Sequence, residues 1–186
     1  MSNKNFKVNR QNKLLELATK CLARNPNASL LEIADFAGIG IATLHRYFPG
    51  RNDLLHAISS KALDLVEDSL EKVDFTQPDI RLFFTRIITE LIPLGDRMYF
   101  LAADIFTIHD EELTKREMNI AQRFIEKIKE SQVDKQLRND MKAEWMYDMM
   151  FNTIFLIWKY VHDGKMAAKD APELVVSTLL DGFRDD

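Results

Sequence analysis

The sequence predicts an all-α protein with about nine helices. An N-terminal three-helix helix-turn-helix domain is followed by a larger C-terminal helical bundle. Three observations carry this. No stretch alternates apolar and polar residues long enough to make a convincing strand, whereas apolar residues recur at helical spacing almost throughout. The six Gly and five Pro leave few break points in 186 residues. A composition of 46% hydrophobic and 29% charged residues belongs to a globular chain and excludes a disordered one. The length suits roughly one domain, or a small module feeding a larger one.

The first helix is announced by Leu14, Leu15, Ala18, Cys21 and Leu22, an apolar stripe ended by the turn cluster Asn25-Pro26-Asn27. Ser29-Leu30-Leu31-Glu32 then has the capping-box pattern, a Ser at the N-cap and a Glu three residues on that reaches back to the cap N–H. The short helix it opens, about Leu30 to Phe36, stops at Ala37-Gly38, where Gly38 suits a positive φ. A third helix, about Ile41 to Tyr47, is broken by Pro49-Gly50. A fourth runs from about Asn52 to Val73, with Leu54, Leu55, Ile58, Ala62, Leu65, Val66 and Leu70 on its apolar side. Further helices are expected at about 78–92, 96–107, 111–131, 139–163 and 171–184. Their breaks are Pro93-Leu94-Gly95, His109-Asp110, the polar stretch Ser131–Asn139, and Gly164 with Pro172. No internal repeat or low-complexity tract interrupts them.

The formal net charge of −4 and a pI near 5.6 argue, taken whole, against a nucleic-acid partner. The distribution argues otherwise. Residues 1–51 hold eight Lys/Arg against three acids, while residues 52–186 hold seventeen against twenty-six. A basic head on an acidic body places any polyanion-docking surface on the head. Lys4, Lys7 and Arg10 read as a mobile basic arm able to add phosphate or minor-groove contacts.

Two helices joined by a tight turn at Ala37-Gly38, the second short and polar, form a helix-turn-helix pattern. The run from Leu30 to Leu55, LLEIADFAGIGIATLHRYFPGRNDLL, resembles the DNA-binding domain of TetR-family transcriptional regulators over about residues 10–57. In that family an Ile-Ala pair and an Ala-Gly turn precede a recognition helix ending in Thr-Leu-Tyr, followed by an aromatic-Phe pair and a basic residue. The remaining residues match only in helical character and length.

From the residues themselves, Ile33, Ala37, Ile39, Leu44, Phe48 and Leu55 are expected to form the small core of the head, leaving Thr43, His45, Arg46 and Tyr47 to face outward. The candidate DNA-binding set is Ser29, Gly40, Ile41, Ala42, Thr43, His45, Arg46, Tyr47 and Arg51. The resemblance implies that Ala42 permits close backbone approach, that His45 lies near a base edge or phosphate, and that Tyr47 lies near phosphate. Arg51 is suited to a charge-assisted phosphate contact. Three positions depart from the family pattern. Gly40 stands where a Ser commonly caps the recognition helix, Ile41 replaces a frequent Lys or Arg and offers an apolar surface to a thymine methyl, and His45 replaces the common Tyr.

The segment Trp145–Val161 has thirteen apolar or aromatic residues of seventeen, but Asp148 and Lys159 bracket an uncharged run of only ten, too short to span a bilayer. A helix apolar all round in so small a chain implies packing on its own domain and on a second subunit. Phe151, Phe155 and Trp158, with Val176, Leu179 and Phe183 of the last helix, are the candidate interface.

The resemblance implies that residues from about 75 onward dimerise and bind a small effector. Candidate pocket residues are Phe84, Ile88, Leu91, Met98, Leu101, Ile105, Phe124, Trp145 and Met149; the same residues are also what a packed bundle requires. Without a dense set of buried charges, the ligand is expected to be largely apolar. The domains are expected at 1–51 for the head and arm, 52–73 for a connecting helix, and 74–186 for ligand binding and dimerisation.

Other chemistry finds little support. His109-Asp110-Glu111-Glu112 reads as an acid-rich helix start rather than a metal site, and the other histidines lack a ligand spacing partner. The lone Cys21 excludes an intramolecular disulfide, fits a reducing compartment and reads as a small core residue. The first thirteen residues lack the apolar run of a secretory signal. No nucleophile elbow, P-loop or dinucleotide fingerprint appears. The expected protein is a cytoplasmic homodimeric repressor, not an enzyme. It needs no cofactor or metal, contacts no membrane, and binds a near-palindromic double-stranded operator that a small molecule makes it release. The alternatives are a helical protein-interaction adaptor, or an apolar-ligand carrier or enzyme with a vestigial DNA head.

Overall fold

The computed structural model describes residues 2–95 and 110–183, with side chains from Asn9 to Gly95 and from Asp110 to Gly182. Among these residues there are eight α-helices and no strands: α1 (Ser2–Arg24), α2 (Leu30–Phe36), α3 (Ile41–Tyr47), α4 (Arg51–Leu70), α5 (Ile80–Leu91), α6 (Glu111–Val133), α7 (Ala143–His162) and α8 (Ala171–Phe183). A 3-10 turn, Ile92–Leu94, follows α5 at the Pro93 break. The helix expected at 96–107 lies outside the described residues.

The chain forms two compact units. Of the described residues, 2–62 and Asp110 belong to the first, and 63–95 and 111–183 to the second. The division falls inside α4, eleven residues beyond the boundary expected at 51, because Leu54, Leu55 and Ile58 are needed to close the first core. That core joins them to Leu14, Ala18 and Leu22 of α1, Ala28 of the loop, Ile33 and Ala34 of α2, Leu44 of α3, and Phe48. Ala37 and Ile39 pack against it half-buried. Cys21 lies within it, and burial pushes its thiol pKa up, as suits a packing residue. The basic arm differs from its expectation. The backbone is helical from Ser2, so Lys4, Lys7 and Arg10 extend α1.

In the second unit α5 packs on α8, α6 on α7, and α7 on α8. Asp79 caps α5, its carboxylate accepting from Leu82 N at 3.0 Å. Phe83, Phe84, Ile87, Ile88 and Leu91 then bury one face of α5 completely. Phe75, Phe83 and Phe124 of α6 meet edge-on or tilted, with centroids 5.1–6.3 Å apart. Arg116 of α6 clamps the C-terminal half of α4: its Nε donates to Glu67 Oε1 at 3.0 Å, and its Nη2 to Glu67 Oε2 at 2.6 Å and Asp64 Oδ1 at 2.9 Å.

Candidate nucleic-acid interface

Local chemistry fixes the two short helices before any tertiary contact is counted. Ser29 caps α2 through a complete capping box: its Oγ accepts from Glu32 N at 3.2 Å, and its own N–H and hydroxyl donate to Glu32 Oε2, each at 2.7 Å. Those two donors, the backbone N–H first, hold the Glu32 carboxyl below the usual carboxylate range. The Ser29 hydroxyl is therefore already engaged within α2. The helix ends in a Schellman turn, with Gly38 N donating to Asp35 O and Ile39 N to Ala34 O, both at 3.0 Å. Gly38 sits at φ +66°, the left-handed region that favours glycine.

Gly40 begins α3 in extended conformation, its carbonyl accepting from Thr43 N at 2.8 Å and Leu44 N at 3.2 Å. No side chain caps this end, and a Cβ built on Gly40 meets nothing within 4 Å. On α3, Leu44 is fully buried, while Ala42, His45 and Arg46 are exposed. Their spacing of three and four puts all three on one face. Ile41, Thr43 and Tyr47 are half-buried, and Ile41 and Tyr47 pack against the first core. Arg46 lies over the Tyr47 ring, 5.6 Å from its centroid. His45 Nδ1 donates to Pro49 O at 3.0 Å, which fixes the neutral ring as the Nδ1–H tautomer and leaves Nε2 as the acceptor.

Arg51 has a task that spacing did not disclose. Its Nη1 donates to Ala28 O and its Nη2 to Pro26 O, the latter at 2.7 Å, tying the start of α4 to the loop between α1 and α2. Both acceptors lie more than twenty residues away in sequence, and Ala28 is buried. A basic surface was also missed. Arg10, Lys13, Lys20 and Arg24 are all exposed and recur at intervals that line one side of α1. Their helical spacing was the available signal.

The ligand and interface candidates separate by burial. Phe84, Ile88, Leu91 and Phe124 are fully enclosed core residues of the second unit. Trp145 and Met149 are instead exposed on α7, Trp145 by 56%. Met98, Leu101 and Ile105, and the side chain of Phe183, lie outside the described residues. Trp158, Val176 and Leu179 are buried within the protomer, whereas Phe151 and Phe155 are half-buried. The outward apolar stripe of α7 consists of Trp145, Met149, Leu156 and Tyr160, with Leu174 exposed on α8. An open groove of about 790 Å³ lies elsewhere in this unit, lined by Arg81, Thr85 and Thr89 of α5 and by Lys169 and Glu173, and includes Val176 alone among the candidates. Asp110 accepts from, or ion-pairs with, His56 Nε2 at 3.0 Å, and the described residues contain no group of three possible metal ligands. No described helix is long and apolar enough to cross a membrane.

A capped helix, a glycine turn and a short helix presenting His45 and Arg46 together define a protein of the helix-turn-helix class. Residues 14–58 match the model for bacterial regulatory proteins of the tetR family, and the first core cluster runs from Leu14 to Ile58. Residues 14–58 thus carry the DNA-binding region of the tetR family. The chain is 34% identical over 100 residues to the HTH-type transcriptional repressor LfrR of Mycolicibacterium smegmatis, covering 54% of this chain and 53% of that protein. It thus spans about half the length of that relative. Among solved structures, LfrR from Mycobacterium smegmatis in complex with proflavine superimposes with a TM-score of 0.77 at 23% identity, over 94% of this chain and 96% of that one. AibR in complex with isovaleryl coenzyme A and operator DNA gives 0.77 at 17%, over 92% and 98%. These two likenesses establish the fold.

Proposed function

We propose that the chain is a homodimeric, cytoplasmic transcriptional repressor. It binds a near-palindromic operator through α3 and leaves it when a small molecule with a largely apolar body enters the second unit. The observation that carries the reading is the α3 face of Ala42, His45 and Arg46, held on a rigid core in the basic head. Ala42 lets the backbone approach a base pair, and His45 offers Nε2 to a base or phosphate. Arg46 supplies charge, as do Arg10, Lys13, Lys20 and Arg24 on α1. The relatives agree in kind, LfrR being described as a repressor and AibR as bound to both an acyl coenzyme A and operator DNA.

In the dimer, Trp145, Met149, Leu156 and Tyr160 of α7 and Leu174 of α8 meet their partner's copies. Each subunit places α3 in a major groove, with half-sites about 34–36 Å apart or a multiple of that. The DNA-contacting head comprises residues 1–51, its core closed by the first part of the connecting helix 52–73, and the ligand and dimerisation region is 74–186. Ligand entry moves α6, and the Arg116 clamp on Asp64 and Glu67 passes that movement to α4. The change in operator affinity equals the ligand's differential affinity for the two states.

A gel-shift titration on DNA flanking the protein's own gene, at several salt concentrations, tests this. Salt-dependent binding that is lost in the His45→Ala, Arg46→Ala double variant is expected. Equal binding by the double variant, or none by the wild type, would favour the protein-interaction adaptor.

A further inference from the structure

On the exposed face of α3, His45 is the side chain whose hydrogen-bonding sense the fold has already decided. Its Nδ1 lies 3.0 Å from the carbonyl oxygen of Pro49, four residues on and just past the end of the helix. A carbonyl oxygen only accepts, so Nδ1 must carry the hydrogen. In the neutral ring Nε2 is then a bare acceptor, with a lone pair and no proton. His45 is exposed, and Nε2 meets no partner among the described residues. Its neighbours on that face differ in kind: Ala42 has no polar side-chain atom, and Arg46 has donors only.

DNA offers few partners to a bare acceptor. Phosphate oxygens, guanine O6 and N7, thymine O4 and adenine N7 all accept, and would meet Nε2 lone pair to lone pair. The donors in the major groove are exocyclic amines, adenine N6 and cytosine N4. An acceptor placed against another acceptor loses its water and gains no bond in return, which makes the mismatch costly.

We propose that His45 is a base-reading residue, whose Nε2 accepts from the exocyclic amine of an adenine or a cytosine in the major groove and makes no phosphate contact. This rests on the operator-binding reading above and sharpens it, since that reading allowed His45 either a base or a phosphate. The Tyr common at this position in the family pattern has a hydroxyl that both donates and accepts, and would not make the distinction. The sequence did not disclose the tautomer, because the carbonyl that fixes it is placed by the break at Pro49-Gly50.

The full chain is first used to select duplexes from a random pool at about pH 8.5, where imidazole is neutral. Single groups are then deleted from the selected DNA. Purine replaces adenine and 2-pyrimidinone replaces cytosine to remove an amine; 2-aminopurine and 7-deazapurines remove guanine O6 and the purine N7; methylphosphonates remove phosphate charge. Fluorescence anisotropy gives the affinity of the wild type and of His45→Ala for each duplex. One amine deletion in each half-site is expected to weaken the wild type by about threefold to tenfold, and to leave His45→Ala within about twofold of its value on unmodified DNA. No acceptor deletion and no methylphosphonate should couple to His45 in this way. His45→Gln, which brings an amide oxygen of its own, should keep the sensitivity to the same amine. Thermal melts confirm that both variants fold, and the wild-type profile of amine deletions is independent of them. Coupling of His45 to a phosphate, to a base acceptor or to no group overturns the proposal while operator binding stands. A wild-type chain that selects no duplex overturns both.

Discussion

Arg51 and Arg46 have the same side chain and lie five residues apart, yet their environments assign them different work. Arg51 is half-buried and donates to Ala28 O and Pro26 O; Arg46 is exposed beside Tyr47. Replacing Arg51 by Gln removes two charge-assisted donors, one of them from the carbonyl of the buried Ala28. Hydrogen bonds to charged groups contribute about 1.5–3 kcal/mol net, so the head should lose about 2–3 kcal/mol after partial compensation. In a domain of this size each kcal/mol moves the midpoint by about 4–8 °C, which predicts a drop of about 8 °C or more for Arg51→Gln. Arg46→Gln lies on the surface and should stay within about 0.5 kcal/mol of wild type.

DNA binding should invert the order. Each neutralised phosphate contributes about 0.9 to the slope of log affinity against log salt, so Arg46→Gln should flatten that slope by about one contact while Arg51→Gln, measured well below its midpoint, should keep it. Thermal unfolding and fluorescence anisotropy at four or five salt concentrations give both quantities. An Arg51→Gln variant that melts with the wild type and loses about 0.9 from the salt slope would refute the reasoning, because the guanidinium would then serve a phosphate instead of the loop.

The remaining predictions concern the same elements. Gly38→Ala has open space for its Cβ but must hold φ +66°, so it should cost about 1–2 kcal/mol in chemical denaturation and weaken operator binding by misaligning α3. Gly40→Ser should add only a few tenths of a kcal/mol to head stability, while its new hydroxyl at the start of α3 should tighten operator binding in a gel shift. Ser29→Ala should destabilise the head by about 1 kcal/mol at neutral pH. Because the Glu32 pKa is lowered by folding, the capping box contributes above the unfolded glutamate pKa of about 4.3 and is lost as pH falls through the folded value, so the difference between Ser29→Ala and wild type should shrink in acid melts. Leu156→Glu, at an exposed position on the outward stripe of α7, should convert the proposed dimer to monomer in sedimentation without unfolding the chain.

What could be read from the sequence was local. The capping box at Ser29–Glu32, the left-handed Gly38 and the break at Pro49-Gly50 each act within four or five residues, and α2 and α3 have the limits those signals predicted. What escaped it was long-range. Arg51 reaches carbonyls twenty-three and twenty-five residues back, and nothing in a helix-start arginine distinguishes those acceptors from a phosphate. On α7 the apolar residues were recognised as too many for one face, but their division among faces was not resolved. Trp158, a candidate for the interface, is buried within the protomer, and Trp145, a candidate for the pocket, is exposed. A finer reading of phase would have helped there, since Trp145, Met149, Leu156 and Tyr160 fall on one line at helical spacing.

That division of α7 bears on regulation. Met146, Met150, Ile154 and Ile157 are buried; Tyr147, Phe151 and Phe155 stand beside them in a column of rings; Trp145, Met149, Leu156 and Tyr160 lie on the opposite flank. Asp148, Asn152 and Lys159 are the polar exposed residues between column and stripe. A helix of twenty residues packed along its length moves as a unit. A ligand packed against the rings and a second subunit packed against the stripe would therefore bear on the two flanks of one rigid element. In the proposed dimer, a displacement of α7 that accommodates a ligand would alter the geometry at the stripe. Linkage makes the coupling reciprocal. By whatever factor the ligand weakens operator binding, bound operator must weaken ligand binding by the same factor. An affinity for the ligand that operator DNA leaves unchanged would therefore separate these two flanks of α7 in function, however close they lie in structure.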